Sequence, residues 1–252
     1  MNTTKKEAWK VLKFGGSSLA NTACFVRVSK IILDSYIASE EQPHSIVVSA
    51  MGGFTDLLIK ISKDVPAKSL KSSSEYKSII DRISIISNDL LDSAESEKYL
   101  QEVSEDFTEI KKILDQSNSN KDKFIEDKGD IIAGYGELWS ARLLNIYLNK
   151  LLACKKSNFI DSRQVLFVKA SDTGDSIDWV KSKESFKNIT KSLSSKIYVI
   201  TGFIASKEDG TPTNLGRNGS DYSAAIFTSF FDAEELIIWT DVDGVLSADP
   251  NK

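Results

Sequence analysis

The stretch Trp9–Ser18, WKVLKFGGSS, is a short run of apolar residues that passes directly into two adjacent glycines and two serines. The run predicts a strand, and Ala23–Tyr36 continues with apolar residues spaced for one face of a helix. A strand, a glycine-rich loop and a helix in this order form the repeating unit of sheets that are covered by helices. The stretch therefore predicts an α/β fold.

Four more apolar, β-branched runs predict further strands: Ser45–Ser49, Val165–Val168, Lys196–Thr201 and Leu236–Thr240. Several are apolar nearly throughout, which is typical of strands buried on both faces of a parallel sheet. Helical patterns lie between them, at Gly129–Leu152 and Ser220–Phe231. The alternation predicts a doubly wound sheet, and such sheets bind ligands outside the carboxyl ends of their strands.

The segment from about residue 62 to 120 has a different composition. It is rich in Ser, Lys, Asp and Glu, and its isoleucines and leucines recur at helical spacing. This pattern predicts an amphipathic helical insertion rather than a linker. Ser117–Lys123, SNSNKDK, is interpreted as an exposed turn between two of its helices.

The composition of the 252 residues excludes several classes of function. The net charge is -4 and no basic tract occurs, which argues against a nucleic-acid surface. His44 is the only histidine, so a histidine-based metal site or catalytic triad is not expected. Cys24 and Cys154 lack metal-ligand spacing and are interpreted as reduced thiols. No run approaches the ~18 apolar residues of a membrane span, and Met1–Trp9 lacks the apolar core of a signal peptide, so a cytoplasmic protein is expected.

The hexapeptide Lys13–Ser18, KFGGSS, can form an anion site at the end of the first strand. Adjacent glycines let the backbone approach an anion closely, and Lys13 adds a positive charge. This combination suits a transferring phosphoryl group, which needs electrostatic stabilisation. The alternative is a tight turn with a solvated lysine. The P-loop pattern GxxxxGK[ST] occurs nowhere in the sequence.

The stretch Ser49–Asp56, SAMGGFTD, places two more glycines after the second strand, with Ser49 and Thr55 as side-chain donors. Neighbouring parallel strands open on the same edge of a sheet, so two such loops predict a shared polar cavity. A simple turn is the alternative for either glycine pair.

Two glycines, Gly134 and Gly136, lie within a helical pattern and precede Glu137. Each destabilises a helix by about 1 kcal/mol relative to alanine, which a helix start packed close to a ligand would explain. Glu137 can then bind an ammonium group. The alternative is a surface acid at a frayed helix start.

The stretch Thr211–Ala225, TPTNLGRNGSDYSAA, carries the strongest functional signal. Arg217 offers a planar fork that matches a carboxylate. Ser220 and Asp221 have the chemistry of helix N-caps, and the positive end of a helix favours anions. Asp221 can instead organise a reacting lysine or hold a cation, and capping alone needs no function.

The last of these segments, Trp239–Val245, WTDVDGV, follows the final predicted strand. Asp241 and Asp243 can face Mg²⁺, which prefers carboxylates together with phosphate oxygens and water. Asp243 and Gly244 alone would be an ordinary turn pair.

Taken in order, these segments resemble the aspartate kinases of the amino-acid kinase family. KFGGSS is similar to the family's KFGG[ST]S signature, SAMGGFTD to its second glycine-rich segment and LGRNGSDYSAA to its GRGGSD stretch. GELWSARLL, FIDSR and IWTDVDGVLSADP match further family segments, so the resemblance spans Val11 to Pro250. It implies a three-layer αβα sandwich around a mostly parallel, eight-stranded sheet. One kinase domain, 1–252, would contain an amino-acid-binding lobe at about 1–200 and the start of an ATP-binding lobe at 201–252.

The resemblance also implies the reaction, which is transfer of the γ-phosphoryl group of ATP to the side-chain carboxylate of L-aspartate. Mg²⁺ would accompany the phosphates, with no metal site of the protein's own, and the chain would be a homo-oligomer. Lys13 and Asp221 would act at the reacting centre. The residues expected to hold aspartate are Ser49, Thr55, Glu137, Arg217, Asn218, Gly219 and Ser220. The residues expected at the nucleotide are Lys13, Phe14, Gly15, Gly16, Ser17, Thr240, Asp241 and Leu246. The alternatives are a kinase of the same fold that acts on glutamate or N-acetylglutamate, and a non-catalytic ligand-binding domain.

Three positions depart from the family pattern. Asn218 stands where glycine is usual, Leu246 where tyrosine is frequent, and Asn251 where arginine commonly follows the DP pair. Members of the family also continue beyond the position of Lys252. A truncated ATP-binding lobe, and weak or absent activity of this chain, are therefore expected.

Overall fold

The computed structural model describes residues 8–116, 124–152, 157–170, 175–193 and 195–240 of the chain. Its strands, in chain order, are β1 Lys10–Phe14, β2 His44–Val48, β3 Ser157–Ile160, β4 Phe167–Lys169, β5 Ser176–Ile177, β6 Ile197–Thr201, β7 Ile204–Lys207, β8 Pro212–Asn214 and β9 Glu235–Trp239. Its helices are α1 Thr22–Ala38, α2 Phe54–Asp64, α3 Ser74–Leu90, α4 Ser93–Gln116, α5 Phe124–Ala133, α6 Tyr135–Leu151, α7 Trp179–Ser192 and α8 Gly219–Phe231.

The central sheet contains five strands in the order β3-β6-β2-β1-β9, and every pairing in it is parallel. Four of these strands end in one row, because Phe14 pairs with Val48 and Trp239, and Val48 pairs with Thr201. The sequence prediction placed these four strands within one residue at each end. The loops that follow β1, β2, β6 and β9 therefore emerge side by side at the carboxyl edge of the sheet.

Helices cover both faces of the central sheet. Leu12 and Phe14 point into a core that is shared with α1, α2, α3, α4 and α6, while Val11 and Val47 point into a second core with α7 and α8. The inner strands β2 and β6 are buried at every residue, as the sequence indicated, whereas the edge strand β9 is partly exposed. The three-layer αβα arrangement is thereby confirmed.

A second, smaller sheet differs from the expectation of one eight-stranded sheet. Its order is β5-β4-β7-β8, with antiparallel pairings at both ends. The predicted strand Val165–Val168 is wrong in its start and its place, since β4 begins at Phe167 and belongs to this small sheet. A short 3-10 helix, Ser162–Gln164, precedes it, and the Leu166 amide donates to the Ser162 carbonyl, which turns the chain away from the central sheet.

The polar insertion forms two amphipathic helices, α3 and α4, which are antiparallel neighbours on the outside of the first core. Ser73 caps α3, since its hydroxyl oxygen accepts a hydrogen bond from the Tyr76 amide. The predicted turn at Ser117–Lys123 lies outside the described residues. No helix in the described ranges is long and apolar enough to cross a membrane.

The helix predicted at Gly129–Leu152 is two helices, α5 and α6, with a break at Gly134. A Cβ atom at Gly134 would lie 2.8 Å from Cγ2 of Ile204 in β7, which is too close for any side chain. The break therefore lets the chain pass close to the small sheet and sets the direction in which α6 begins.

Candidate active site

A cavity of about 380 Å³ opens at the carboxyl edge of the central sheet. Residues from the first four of the five segments singled out in the sequence contribute to its lining, together with Phe203: Lys13, Gly16, Ser49, Ala50, Met51, Gly52, Gly53, Thr55, Glu137, Phe203, Gly216, Arg217, Asn218, Gly219, Ser220 and Asp221. The two sides of the cavity differ. On one side, the packed segments 15–18, 50–53 and 135–137 form what we call the loop wall, of which Gly16, residues 50–53 and Glu137 line the cavity. On the other side, we call residues 216–220 the arginine wall.

The two glycine-rich loops of the loop wall pack directly against each other. A Cβ atom at Gly16 would lie 2.9 Å from the Ala50 carbonyl oxygen, and one at Gly52 would lie 3.1 Å from the Gly16 carbonyl oxygen. No side chain fits between these backbones. The contact places the loops after β1 and β2 on one cavity, as the sequence indicated.

The start of α6 completes the loop wall. A Cβ atom at Gly136 would lie 2.8 Å from the Cβ of Ala50, so this glycine permits close packing of α6 on the second loop. Ser140 reinforces the contact, because its hydroxyl donates to the Ser49 carbonyl at 2.6 Å. Close packing of the helix on the loop therefore explains Gly136, one of the two helix-breaking glycines.

Glu137 is carried into the cavity by the first turn of α6 and is 3% exposed. Its Oε2 atom is buried and has no hydrogen-bond partner among the described residues. Burial raises the pKa of Glu137 to about 8, against a smaller lowering by the backbone amides of Ala50 and of Glu137 itself. The raised pKa favours the neutral form of this carboxyl group, and a cationic group nearby would favour the ionised form.

Lys13 and Asp221 form an ion pair between the two walls. Nζ of Lys13, at the end of β1, lies 2.7 Å from Oδ1 of Asp221 in the first turn of α8. The lysine side chain is 11% exposed and the aspartate side chain 42% exposed. A partly buried ammonium held at this edge of the sheet can neutralise charge on an anionic ligand, and Asp221 fixes its position.

The N-terminus of α8 differs in detail from the prediction. The helix begins at Gly219, and its N-cap is Asn218 rather than Ser220 or Asp221, with no side-chain hydrogen bond to the cap. Asn218 has φ 58°, a left-handed conformation that asparagine tolerates better than most residues. Ser220 instead accepts a hydrogen bond from the Ser49 hydroxyl at 2.9 Å, which joins the arginine wall to the loop after β2.

Arg217 lies at the mouth of the cavity, and both it and Asn218 are exposed. The preceding Gly216 has φ 72° and no atom within 4 Å of the position of its missing Cβ. Arg217 therefore presents its guanidinium group from a turn that no neighbouring atom crowds.

The structure brings ten of the residues named from sequence into the cavity lining: Lys13, Gly16, Ser49, Thr55, Glu137, Arg217, Asn218, Gly219, Ser220 and Asp221. Phe14 is not among them, since it is buried and stacks on Trp239 with ring centroids 6.1 Å apart. Gly15, Ser17 and Thr240 lie at the same edge of the sheet but outside the lining. Asp241 and Leu246 lie outside the described residues.

Sequence reasoning missed two residues at the site. Phe203 lines the cavity after β6 with φ 66°, and no sequence signal marked it. Arg82 reaches the loop wall from α3, where it is one of many charged residues in the polar insertion. Only the packing of α3 beside the loops distinguishes it from its neighbours.

A resident metal would need clustered ligands. In the part of the chain that the structure describes, no three His, Cys, Asp or Glu side chains come together in a way that could hold a metal ion. Glu137 and Asp221 are the carboxylates of the cavity lining, and Asp221 is already paired with Lys13. This donor set fits a cation that arrives with phosphate oxygens better than one held by the protein alone.

An αβα sandwich with a lysine, an arginine and glycine-rich loops at the carboxyl ends of its strands defines a class of α/β protein that handles anionic ligands. The amino acid kinase family model matches residues 8–252, and the chain belongs to this family.

Similar proteins fall mainly within one branch of the family. The chain is 34% identical to a bifunctional aspartokinase/homoserine dehydrogenase of Arabidopsis thaliana over an alignment of 252 positions, which covers 98% of this chain and 26% of that protein. It is 32% identical to the bifunctional aspartokinase/homoserine dehydrogenase 2 of Escherichia coli, with 95% and 28% covered. The chain thus spans about a quarter of the length of these relatives.

A solved structure of an aspartate kinase from Clostridium acetobutylicum is 28% identical, with a TM-score of 0.70 over 97% of this chain and 50% of that one. The E. coli aspartokinase III in complex with aspartate and ADP has a TM-score of 0.79 at 24% identity, over 96% and 51% of the chains. The second likeness supports the fold.

Proposed function

We propose that the chain carries the catalytic site of an aspartate kinase, which forms 4-phospho-L-aspartate from ATP and L-aspartate in the first step of lysine, threonine and methionine biosynthesis. One observation carries the proposal. The Lys13–Asp221 pair, Glu137 with its unpartnered Oε2 atom and the exposed Arg217 line a single cavity beside two glycine-rich loops.

The amino-acid end of the cavity suits a free amino acid with a second carboxylate. Glu137 offers a buried oxygen without a partner, which an ammonium group would satisfy. Arg217 offers a planar fork for a carboxylate. Ser49, Thr55 and the start of α8 from Asn218 to Ser220 provide the remaining proposed contacts. An N-acetylated substrate has no ammonium group for Glu137, which disfavours N-acetylglutamate.

The phosphoryl group would lie against Lys13 and the first glycine-rich loop, Gly15–Ser17. The attacking carboxylate is already ionised at neutral pH, so no general base is needed. Rate enhancement would come from in-line positioning and from neutralisation of charge on the transferring group. Asp221 would hold the Lys13 ammonium in place.

The remaining nucleotide contacts belong to the proposal as well. Phe14, Thr240, Asp241 and Leu246 are assigned to the nucleotide by resemblance, and Phe14 would act through the loop that follows it. Mg²⁺ would neutralise the phosphates and be held mainly by them. A homo-oligomeric assembly, a cytoplasmic location and the division into lobes at about residue 200 complete the proposal.

A substrate panel tests the proposal. ADP release is measured with L-aspartate, L-glutamate and N-acetyl-L-glutamate, and calorimetry measures binding of L-aspartate and of a non-hydrolysable ATP analogue with Mg²⁺, which does not require turnover. We expect binding of both ligands and slow, aspartate-dependent ADP release. Faster ADP release with glutamate or N-acetylglutamate would show that aspartate is not the substrate. Ligand binding without any turnover would favour a non-catalytic domain.

A matched pair of variants links the result to the cavity. Lys13→Ala should lower turnover by about 10²–10³-fold, the size of effect seen when one electrostatic contact to a transition state is removed. Lys10→Ala is the control, because Lys10 lies on the same strand but pairs with Glu235 at 3.4 Å, away from the cavity. Equal activity of the two variants would refute the role of Lys13.

A further inference from the structure

Arg82 of α3 contacts both glycine-rich loops with one nitrogen. Its Nη2 atom donates to the Gly52 carbonyl oxygen at 2.8 Å and to the Ala20 carbonyl oxygen at 3.1 Å. Gly52 belongs to the loop after β2, and Ala20 directly follows the loop after β1. A single guanidinium group thus ties together the two segments that pack against each other at Gly16.

The position of the guanidinium group is fixed from a third direction. Its central carbon lies 4.5 Å from the ring centroid of Phe54, the first residue of α2, which is fully buried. Cation–π contact of this kind favours arginine over lysine, because the planar group can lie over the ring. Arg82 is therefore held at a set distance from the second loop.

In the part of the chain that the structure describes, no acid forms a salt bridge with Arg82, and its hydrogen-bond acceptors there are the two main-chain carbonyls. Its Nη1 atom lies 3.7 Å from the position that a Cβ of Gly53 would occupy, and Gly53 lines the cavity. A positive charge thus stands behind the wall that would face a phosphate.

We propose that Arg82 is a positioning residue, which holds the two glycine-rich loops in the arrangement that receives the transferring phosphoryl group and adds positive charge behind them. The inference rests on the proposed function and extends it to the helical insertion. The insertion then has a role at the site, since α3 delivers the group that joins the loops.

Two variants separate the parts of this role. Arg82→Met keeps an unbranched apolar side chain but removes both hydrogen bonds and the charge. Arg82→Lys keeps the charge but loses the planar group over Phe54. Arg142→Met is the control, because Arg142 is also a partly buried arginine, bound to Asp106 at 2.5 Å, and it does not line the cavity.

The full 252-residue chain is titrated with Mg²⁺ and either adenylyl imidodiphosphate or ADP, and unfolding is measured in parallel. We expect Arg82→Met to weaken binding of the imidodiphosphate by about tenfold, the usual effect of losing hydrogen bonds from a charged donor. Binding of ADP, which lacks the third phosphate, should weaken less. Arg82→Lys should fall between the wild type and Arg82→Met, and Arg142→Met should lose stability but not affinity.

Hydrogen exchange gives an independent readout. The amides of residues 15–20 and 50–53 should exchange faster in Arg82→Met than in Arg142→Met at matched stability. Unchanged exchange and unchanged affinity in a folded Arg82→Met protein would overturn the inference, and Arg82→Lys supplies the same test if the methionine variant does not fold. A wild-type chain that binds neither nucleotide would instead overturn the proposed function, while the exchange experiment would still decide whether Arg82 holds the loops.

Discussion

The loop wall and the arginine wall face the same cavity but are built in opposite ways. In the loop wall, packing is so close that a methyl group on Gly16, Gly52 or Gly136 would lie only 2.9, 3.1 or 2.8 Å from the nearest atom. In the arginine wall, Gly216, Arg217 and Asn218 are exposed, and no atom crowds the turn at Gly216.

The difference separates two demands on the site. A group that stabilises charge on a transferring phosphoryl must be in place before the reaction, and close backbone packing achieves this. A group that selects the substrate can be ordered when the ligand binds, at the expense of some side-chain entropy. Substitutions in the loop wall should therefore change the stability of the folded protein. Substitutions in the arginine wall should mainly change the affinity for the ligand.

The largest expected effect concerns Glu137 and pH. Its folded pKa of about 8 lies above its ordinary value, so the stability it contributes is full below about pH 4.5 and is lost as the pH rises through 8. Glu137→Gln, which cannot ionise, should escape this loss, on the order of a few kcal/mol by pH 9. Unfolding by urea from pH 5 to 9 measures the difference, and Glu97→Gln on the exposed face of α4 is the control. Parallel pH profiles for wild type and Glu137→Gln would contradict the prediction.

The next effect tests the tight packing of the loop wall. Gly136→Ala should destabilise the chain by about 1–3 kcal/mol, because its methyl group would meet Ala50 at 2.8 Å. Gly129→Ala in α5 is matched to it, since the nearest atom there is Ser62 Oγ at an ordinary 3.5 Å. This control should be neutral or more stable by up to about 1 kcal/mol. Equal stability of the two variants in urea would show that the loop wall shifts enough to accommodate the methyl group at position 136.

For the arginine wall, Arg217→Ala should weaken L-aspartate binding about tenfold by loss of a charged hydrogen-bond donor. The melting temperature should not change, because the side chain is exposed and outside both cores. Calorimetry and thermal unfolding measure the two quantities, with the exposed Arg27→Ala as control. A clear drop in melting temperature for Arg217→Ala would remove the contrast between the walls.

The smallest effect concerns Asn218, which has φ 58° where the family pattern has glycine. Asn218→Ala should destabilise the chain by about 1 kcal/mol, because alanine resists the left-handed conformation. Asn218→Gly should be neutral or slightly stabilising. If alanine and glycine proved equivalent in urea unfolding, the turn would not be strained.

Four strands of the central sheet could be predicted from sequence because they are apolar runs, and β1, β2 and β6 are largely buried. The fifth, β3, was missed because Ser157–Ile160 is short and only partly apolar. Unbroken apolar runs such as Lys196–Thr201 differ from helical patterns, and the limits of each run indicate where the strand begins and ends. The strands of the small sheet could not be found this way. β5 has two residues and β8, Pro212–Asn214, has three, so neither is long enough to show a period.

Helix boundaries and site residues were predictable where the residues that determine them are close together in sequence. The Lys13–Ser18 loop shows its glycines directly, whereas the break at Gly134 depends on contact with Ile204, seventy positions away. The Asn218 cap was missed because asparagine, serine and aspartate cap helices about equally well, so the sequence does not choose among Asn218, Ser220 and Asp221. Arg82 was missed because its partners are main-chain carbonyls, which leave no trace in the sequence.

The hydrogen bond between Ser49 and Ser220 joins positions 171 residues apart. Contacts of such sequence separation require closure of a long loop, which costs chain entropy. The cavity therefore exists only when these distant parts of the chain are together. A ligand that occupies it recognises the finished fold alone and shifts the folding equilibrium toward the native state in proportion to its concentration.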